Sequence, residues 1–310
     1  MNVTKLIYIL LVLCWSCGSR QAPKNGLIAP EERDGRYLFR VANQQLMVDP
    51  ALGGRITSLT IDGRNFLTGA DVNDFNWGST FWPSPQRVWK WPPPAALDNE
   101  PYTVRSTGPA LKLQSQLDPQ TGLVVTKEIS ASDDPTHYTI RYTLTNAAEE
   151  AQGVAPWEVT RVHTGGVAFF PTGQGDMWGG LLPLTTVSDG IAWFTYAAEK
   201  LPTKGDRQLY TDGAEGWMAY LDGRTVLIKK FTDVPLAKNA PSEGEIELFA
   251  SEVKSGEGYV EIEHQGAYEI LAPGDSLTWE VVWYLRELPS EVEGTPGNNL
   301  LVDYVRTVIK

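Results

Sequence analysis

Indole rings and carboxylates are the side chains of this chain whose types and spacing could do chemistry. Phe75 to Ala96 reads FNWGSTFWPSPQRVWKWPPPAA and holds Trp77, Trp82, Trp89 and Trp91, four of the 11 tryptophans, among five prolines. Prolines at that density are foreign to a central strand, so the segment reads as a long, stiff loop. Long loops in compact domains are usually functional. A bare indole in water forgoes roughly 1.5–3 kcal/mol of burial, so these rings must pack on a sheet or line a pocket that a ligand covers. Indole faces suit the C–H faces of a pyranose, and Gln86 and Arg87 add fixed donors for hydroxyls or a carboxylate. Trp82, Gln86, Arg87 and Trp89 are therefore candidate ligand-binding residues, and Arg55 and Trp157 are counted with them.

Two stretches carry carboxylates at telling spacing. Tyr259 to Glu263 alternates as a strand does, so Glu261 and Glu263 share one face. Side by side they would raise one another's pKa or hold a cation, although two carboxylates are a thin ligand set for a metal. In Trp157-Glu158-Val159-Thr160-Arg161, an inward Glu158 could bond hydroxyls or carry a proton, with Trp157 and Arg161 then turned away. The structural alternative for Glu158 is an ion pair with Arg55 or Arg161. Arg55, Arg87 and Arg161 could each meet an anionic ligand or make internal ion pairs. Of three histidines, His137 stands beside Asp133-Asp134 and reads as surface, and His264 adjoins Glu263 and so faces the other way.

The elements that must position these residues are strands. Period-two alternation runs through Tyr37–Val41, Leu46–Val48, Arg55–Ile61, Leu111–Ser115, Leu123–Ile129 and Tyr138–Leu144. It resumes through Ile191–Tyr196, Trp217–Leu221, Thr225–Phe231, Ile246–Phe249, Tyr259–Glu263 and Leu277–Leu285. Asp62-Gly63 and Asp118-Pro119-Gln120-Thr121-Gly122 are turn signals between them. Helical periodicity enters only at the end, where Asn298-Asn299 could cap a helix placing Leu301, Tyr304, Val305 and Val308 on one face. A dozen strands without intervening helices predict stacked antiparallel sheets, an all-β fold.

Composition narrows the partners. With 26 Lys+Arg against 38 Asp+Glu the net charge is -12, and no basic stripe exists for nucleic acid or an anionic membrane surface. Hydrophobic residues at 42% and charged residues at 21% exclude wholesale disorder. The apolar run Leu6 to Trp15 is too short for a bilayer, which needs about 20 residues, but it suits a signal core. Ser16-Cys17 after it resembles a bacterial lipoprotein cleavage site, with Cys17 lipidated. Cys14 and Cys17 are the only cysteines, so the folded part carries neither disulfide nor thiol nucleophile. The expected layout is a signal over residues 1–16, a polar linker over 17–34, one β domain over 35–289 and a tail with a short helix over 290–310. The membrane would be met only through the lipid anchor, in the bacterial envelope, facing the periplasm or the cell surface.

Asp49-Pro50-Ala51-Leu52-Gly53-Gly54-Arg55 leading to Asp62-Gly63 resembles the opening of galactose mutarotase-like proteins, where a glycine pair lets two strands approach. Ile262-Glu263-His264-Gln265, then Leu271-Ala272-Pro273-Gly274-Asp275 and a last strand, resembles the aldose 1-epimerase C-terminal region. Trp82-Pro83-Ser84-Pro85-Gln86-Arg87-Val88-Trp89 and Ala155-Pro156-Trp157-Glu158 resemble an uncharacterised bacterial branch of that superfamily. The likeness covers about Arg36 to Leu288. It implies a β-supersandwich of large antiparallel sheets with a sugar cleft on the concave face, needing no cofactor. It also implies a Glu base and a His acid that open and reclose a sugar ring. Glu263 matches the base. The stretch matching the acid's position, Gly153 to Thr160, has no His, which leaves His163 or Glu158 as partner. The expected ligand is a sugar or oligosaccharide. An epimerase, a non-catalytic binder that has lost its acid, and a structural envelope protein all stay open.

Overall fold

The computed structural model describes residues 26–253 and 257–310. Its strands form two eleven-stranded antiparallel sheets among the described residues, the β-supersandwich expected. The first, the backing sheet, runs Thr185–Ser188, Ile191–Thr195, Val167–Pro171, Trp217–Asp222, Thr225–Lys230, Ser276–Glu287, Thr136–Asn146, Leu123–Asp133, Ala110–Gln114 and Thr103–Thr107 in spatial order. The second, the cleft sheet, runs Gln208–Thr211, Ile246–Ala250, Tyr259–Gln265, Gln152–His163, Ser79–Ser84, Arg55–Ile61, Gln44–Asp49, Arg36–Val41 and Glu31–Arg33.

The pleat explains the core. Leu123, Val125, Lys127, Ile129 and Ala131 point inward, as do Tyr138, Ile140, Tyr142 and Leu144 on the neighbouring strand, while the residues alternating with them are half-buried or exposed. Tyr259–Gln265 breaks that rule. Every residue of YVEIEHQ is buried although polar and apolar types alternate. One face of that strand lies on the core, so its polar face is covered by something else, and that covering is where the site lies.

The helix Asn299–Val308 forms as its pattern demands. The Asn298 side chain accepts from the Leu300 N–H at 3.0 Å, a cap worth about 1 kcal/mol. Leu301, Val302 and Val305 bury against Trp193, Trp217 and Ile228 on the outer face of the backing sheet, so the tail is part of the packed body. Among the described residues no helix is long and apolar enough to cross a membrane. Cys17 and the signal over residues 1–16 lie outside the described residues.

Two expectations need correction. The polar linker does not run to Asp34: Leu27–Ile28 pairs with Ala131 and Ser132 of the backing sheet, and Glu31–Arg33 pairs with Arg36–Leu38 of the cleft sheet. The start of the aromatic segment is not loop but a central strand, Ser79–Ser84, paired to Gln152–His163. Its Pro83 opposes Pro156. Arg55–Ile61 pairs on the other side only at Ser79, and Pro156 lies between the residues that pair with Glu269–Leu271 and those that pair with Tyr259–Gln265. Pro83 therefore stands where its strand lacks an outer neighbour, and its missing N–H costs the ladder nothing, while Pro156 keeps its outer link through its carbonyl, which accepts the Gly266 N–H at 2.9 Å.

Candidate functional site

Register alone assembles the face. Trp82 lies opposite Trp157, which lies opposite Gln265; Thr80, Val159, Glu263 and Glu247 form the next row, and Arg161, Glu261 and Phe249 the one after. Directly opposed residues share a face, so four strands present these side chains on the side away from the backing sheet. The Gln86–Val88 turn and the chain to the short helix Ala95–Asp98 fold over one end.

Between them is a hollow of about 210 Å³, walled by Trp82, Trp91, Trp157 and Phe249, with Asn76, Gln86, Gln208, Glu261 and Glu263 as its polar lining. The indoles brace one another edge to face: Trp82 meets Trp157 at 5.2 Å and Trp91 at 6.0 Å between centroids. Such pairs add about 0.5–1.5 kcal/mol beyond area burial. Trp91 also meets Phe75 at 5.6 Å and is 54% exposed, the accessible lip of the wall.

The floor is acidic and its carboxyls are cross-linked by amides. Gln208 Nε2 donates to Glu247 Oε2 at 2.9 Å and to Glu263 Oε1 at 3.2 Å. Gln265 Nε2 donates to Glu247 Oε1 and Glu243 Oε2, both at 2.9 Å. Glu243 also receives the Gln86 N–H at 2.5 Å and the Ser84 hydroxyl, which ties the turn to the floor. Arg161 Nε donates to Glu261 Oε1 at 2.7 Å, and its guanidinium sits 4.9 Å from the Trp82 ring centre. Burial, then the charges of Glu261 and Glu247, push the Glu263 carboxyl well above the usual range. Burial and Glu243 do the same to Glu247. Glu261 is raised by burial, opposed by Arg161. Glu263 Oε2 and the Trp157 Nε1 are both buried and without a partner.

The residues singled out in the sequence divide. Glu263, Trp82, Trp157 and Gln86 line the hollow together, and Glu261 shares the Glu263 face as alternation predicts. Trp89 lies behind the wall, its Nε1 donating to the Pro83 carbonyl at 2.6 Å. Arg87 is exposed and does not line the hollow. Arg55 is buried behind Trp82: it donates to the Phe75 and Trp77 carbonyls at 3.0 and 3.3 Å and lies 3.4 Å from Asp98 Oδ2. Asp98 Oδ1 in turn accepts Trp82 Nε1 at 2.7 Å. Arg55 thus braces the wall rather than touching the hollow.

The two acid candidates are not beside Glu263. Glu158 faces between the sheets, where Lys229 Nζ (2.6 Å), the Tyr142 hydroxyl (2.5 Å) and Trp283 Nε1 (3.0 Å) bond it. The inward Glu158 weighed from sequence is therefore inverted: Trp157 and Arg161 face the hollow, and its ion-pair partner is Lys229 rather than an arginine. His264 points to the same interlayer space as Glu158, 3.5 Å away. Burial and Lys229 hold its imidazole well below its ordinary pKa, so it is neutral and the contact is no ion pair. His163 shares the Glu263 face but sits at the strand end, a third exposed, with Nδ1 3.2 Å from Glu257. Glu247, Gln208, Glu243, Asn76 and Phe249 were not singled out. Glu243 and Glu247 flank an alternating run, Glu243 to Phe249, that hints at a polar face; nothing in the sequence points to Gln208.

Residues 83–286 match the family described as a domain of unknown function (DUF4380). No curated protein matches the chain in sequence. Among solved structures, a TPR-domain containing protein from Parabacteroides distasonis ATCC 8503 superposes with TM-score 0.58 at 15% identity. That match takes in 84% of this chain and 49% of the other, so the chain spans about half that protein's length. A galactose mutarotase-like protein from Lactobacillus casei ATCC 334 superposes with TM-score 0.56 at 11% identity, over 81% of this chain and 100% of its own. One from Clostridium acetobutylicum gives 0.53 at 10%, over 82% and 95%. Identities this low show the fold alone, and that fold is galactose mutarotase-like.

Proposed function

Since the chain belongs to the DUF4380 family and has a galactose mutarotase-like fold, we propose that its hollow binds a saccharide. One observation carries the reading: Glu263 and Trp157 line a hollow walled by indoles, and each keeps a buried polar atom, Oε2 and Nε1, without a partner. A buried polar atom without a partner costs about 1–3 kcal/mol, which a ligand hydroxyl offsets by accepting from one and bonding the other. The faces of Trp91 and Trp157 take the apolar C–H surface of the same ring.

A second reading adds proton transfer. Anomer interconversion needs a group that takes the hydroxyl proton and another that protonates the ring oxygen. No histidine lines the hollow. Glu263 and Glu247, joined through Gln208 and unable to ionise together cheaply, supply a carboxyl and a carboxylate in one site.

Tryptophan fluorescence titrated with a panel of aldoses and oligosaccharides tests binding. At least one sugar should quench saturably, and Trp91→Ala should weaken it about tenfold, ~1.4 kcal/mol. If no sugar perturbs the indoles, the reading fails. For the bound sugar, NMR exchange between anomers should slow in Glu263→Gln; equal rates would leave binding and remove catalysis.

A further inference from the structure

The donors and acceptors in the hollow are out of balance. Both amide groups at its floor spend their N–H donors inward: Gln208 Nε2 on Glu247 and Glu263, Gln265 Nε2 on Glu247 and Glu243. Among the described residues the cation at the site is Arg161, committed to Glu261, Thr80 and Asn76. With Glu263 ionised, the buried atoms left unpartnered there are mainly acceptors, Glu263 Oε2 and Gln265 Oε1, against the donor Trp157 Nε1. Glu243, Glu247, Glu261 and Glu263 crowd together with only the Arg161 charge among them. The ligand that complements such a surface is rich in donors and positively charged. An ammonium has three N–H donors and no acceptor, and it is attracted to the faces of indoles.

Resting on the saccharide reading above, we propose that the hollow selects sugars bearing a protonated amine, the ammonium taking Glu263 Oε2 between the Trp157 and Trp91 rings. The amine converts self-repelling carboxyls into ion pairs, whereas a uronate would add a charge of the repelled sign. A neutral N-acetyl group offers one donor where the ammonium offers three. Burial and the neighbouring carboxylates raise the Glu263 pKa in the free protein, so an arriving ammonium lowers it and drives the carboxyl's proton out to solvent.

The test is calorimetry at about pH 6, where the amine is charged. The titrants are glucosamine, galactosamine and mannosamine, each against its parent hexose and its N-acetyl form, with glucuronate as the anionic control. At least one amine should bind about tenfold or more tightly than its parent, ~1.4 kcal/mol. Its N-acetyl form should fall to the parent level, glucuronate should give no saturable heat, and the binding heat should vary with the buffer's ionisation enthalpy. In Glu263→Gln the amine-to-parent affinity ratio should collapse to near one. Parent sugars that bind as tightly as their amines, or glucuronate that binds, would overturn the preference while leaving saccharide binding in place. A preference that survives in Glu263→Gln would overturn the assignment to that carboxyl. If neither amines nor parent sugars bind, the saccharide reading and this inference fall together.

Discussion

A carboxyl that keeps its proton when folded and loses it when unfolded makes stability depend on pH. Glu263 has its folded-state pKa raised, so between the ordinary carboxylate range and that raised value the folded protein holds a proton that the unfolded chain has released. Its contribution is complete at acid pH and is lost as pH rises through the folded pKa. Glu247, Glu261 and Glu245, the last pushed up to about 8, act in the same direction. His264, held low, and Lys127, lowered to about 7, act in the opposite one. The difference between wild type and Glu263→Gln isolates the one group. The urea midpoint of wild type, relative to that of the variant, should fall between pH 5 and pH 8. A parallel pair of profiles would show that Glu263 titrates as an ordinary carboxylate. The pairing of Glu261 with Glu263 was legible because a period of two leaves no other arrangement. The side taken by Glu158 was not, since the middle of its strand is buried on both faces and alternation there carries no inside or outside.

At the scale of elements, the aromatic wall is held by a bracket made from three separate segments. Gly53 adopts φ +67°, and a Cβ there would sit 1.9 Å from the Asp98 carbonyl oxygen, so Gly53 admits the Ala95–Asp98 helix, while Gly54 faces the Leu113 and Lys127 side chains of the backing sheet. Asp98, so placed, takes Trp82 Nε1 and Arg55. Asp98→Ala leaves a buried guanidinium without its anion, which costs about 3–5 kcal/mol. It also frees Trp82 to tilt. Both the urea midpoint and sugar-dependent quenching should therefore drop together, with Asp98→Asn intermediate because its amide oxygen still accepts from the indole. Loss of stability with quenching intact would mean that Trp82 is held by its ring neighbours alone. The strands were readable from alternation, and the Asn298 cap from its residue type. The Ser79–Ser84 strand was hidden because the proline rule forbids a fully paired strand, and this one is paired on one side at its proline.

For the whole molecule, the layers are joined by apolar packing, by buried bonds such as Gln44 Nε2 to the Leu285 carbonyl at 2.9 Å, and by a charge pair that no local pattern announces. Glu158 belongs to the cleft sheet, and Lys229, Tyr142 and Trp283 to the backing sheet. Both charged side chains are fully buried, and Lys229 Nζ also lies 4.2 Å from the Trp283 ring centre. Burial lowers the Lys229 pKa to about 8, and Glu158 holds it from falling further. The partners are 71 positions apart, and only the order of strands in each sheet brings them into line. The same strand order carries Trp82 to Glu263, which is why the hollow was an expectation about topology rather than about motif. Replacing Lys229 by Met removes the cation and strands a carboxylate between the sheets, at a cost of about 3–5 kcal/mol. Adding Glu158→Gln removes the stranded charge while its amide oxygen can still accept from Tyr142 and Trp283. Chemical denaturation should accordingly find Lys229→Met the less stable of the two and the double variant partly restored. If the double variant is as unstable as the sum of its singles, the two charges do not interact and the pair adds nothing to the joining of the sheets. Because this pair lies on the opposite face of the cleft sheet from Glu263, the double variant should keep the sugar affinity of wild type. An altered affinity would mean that the interlayer charges set the position of the cleft strands.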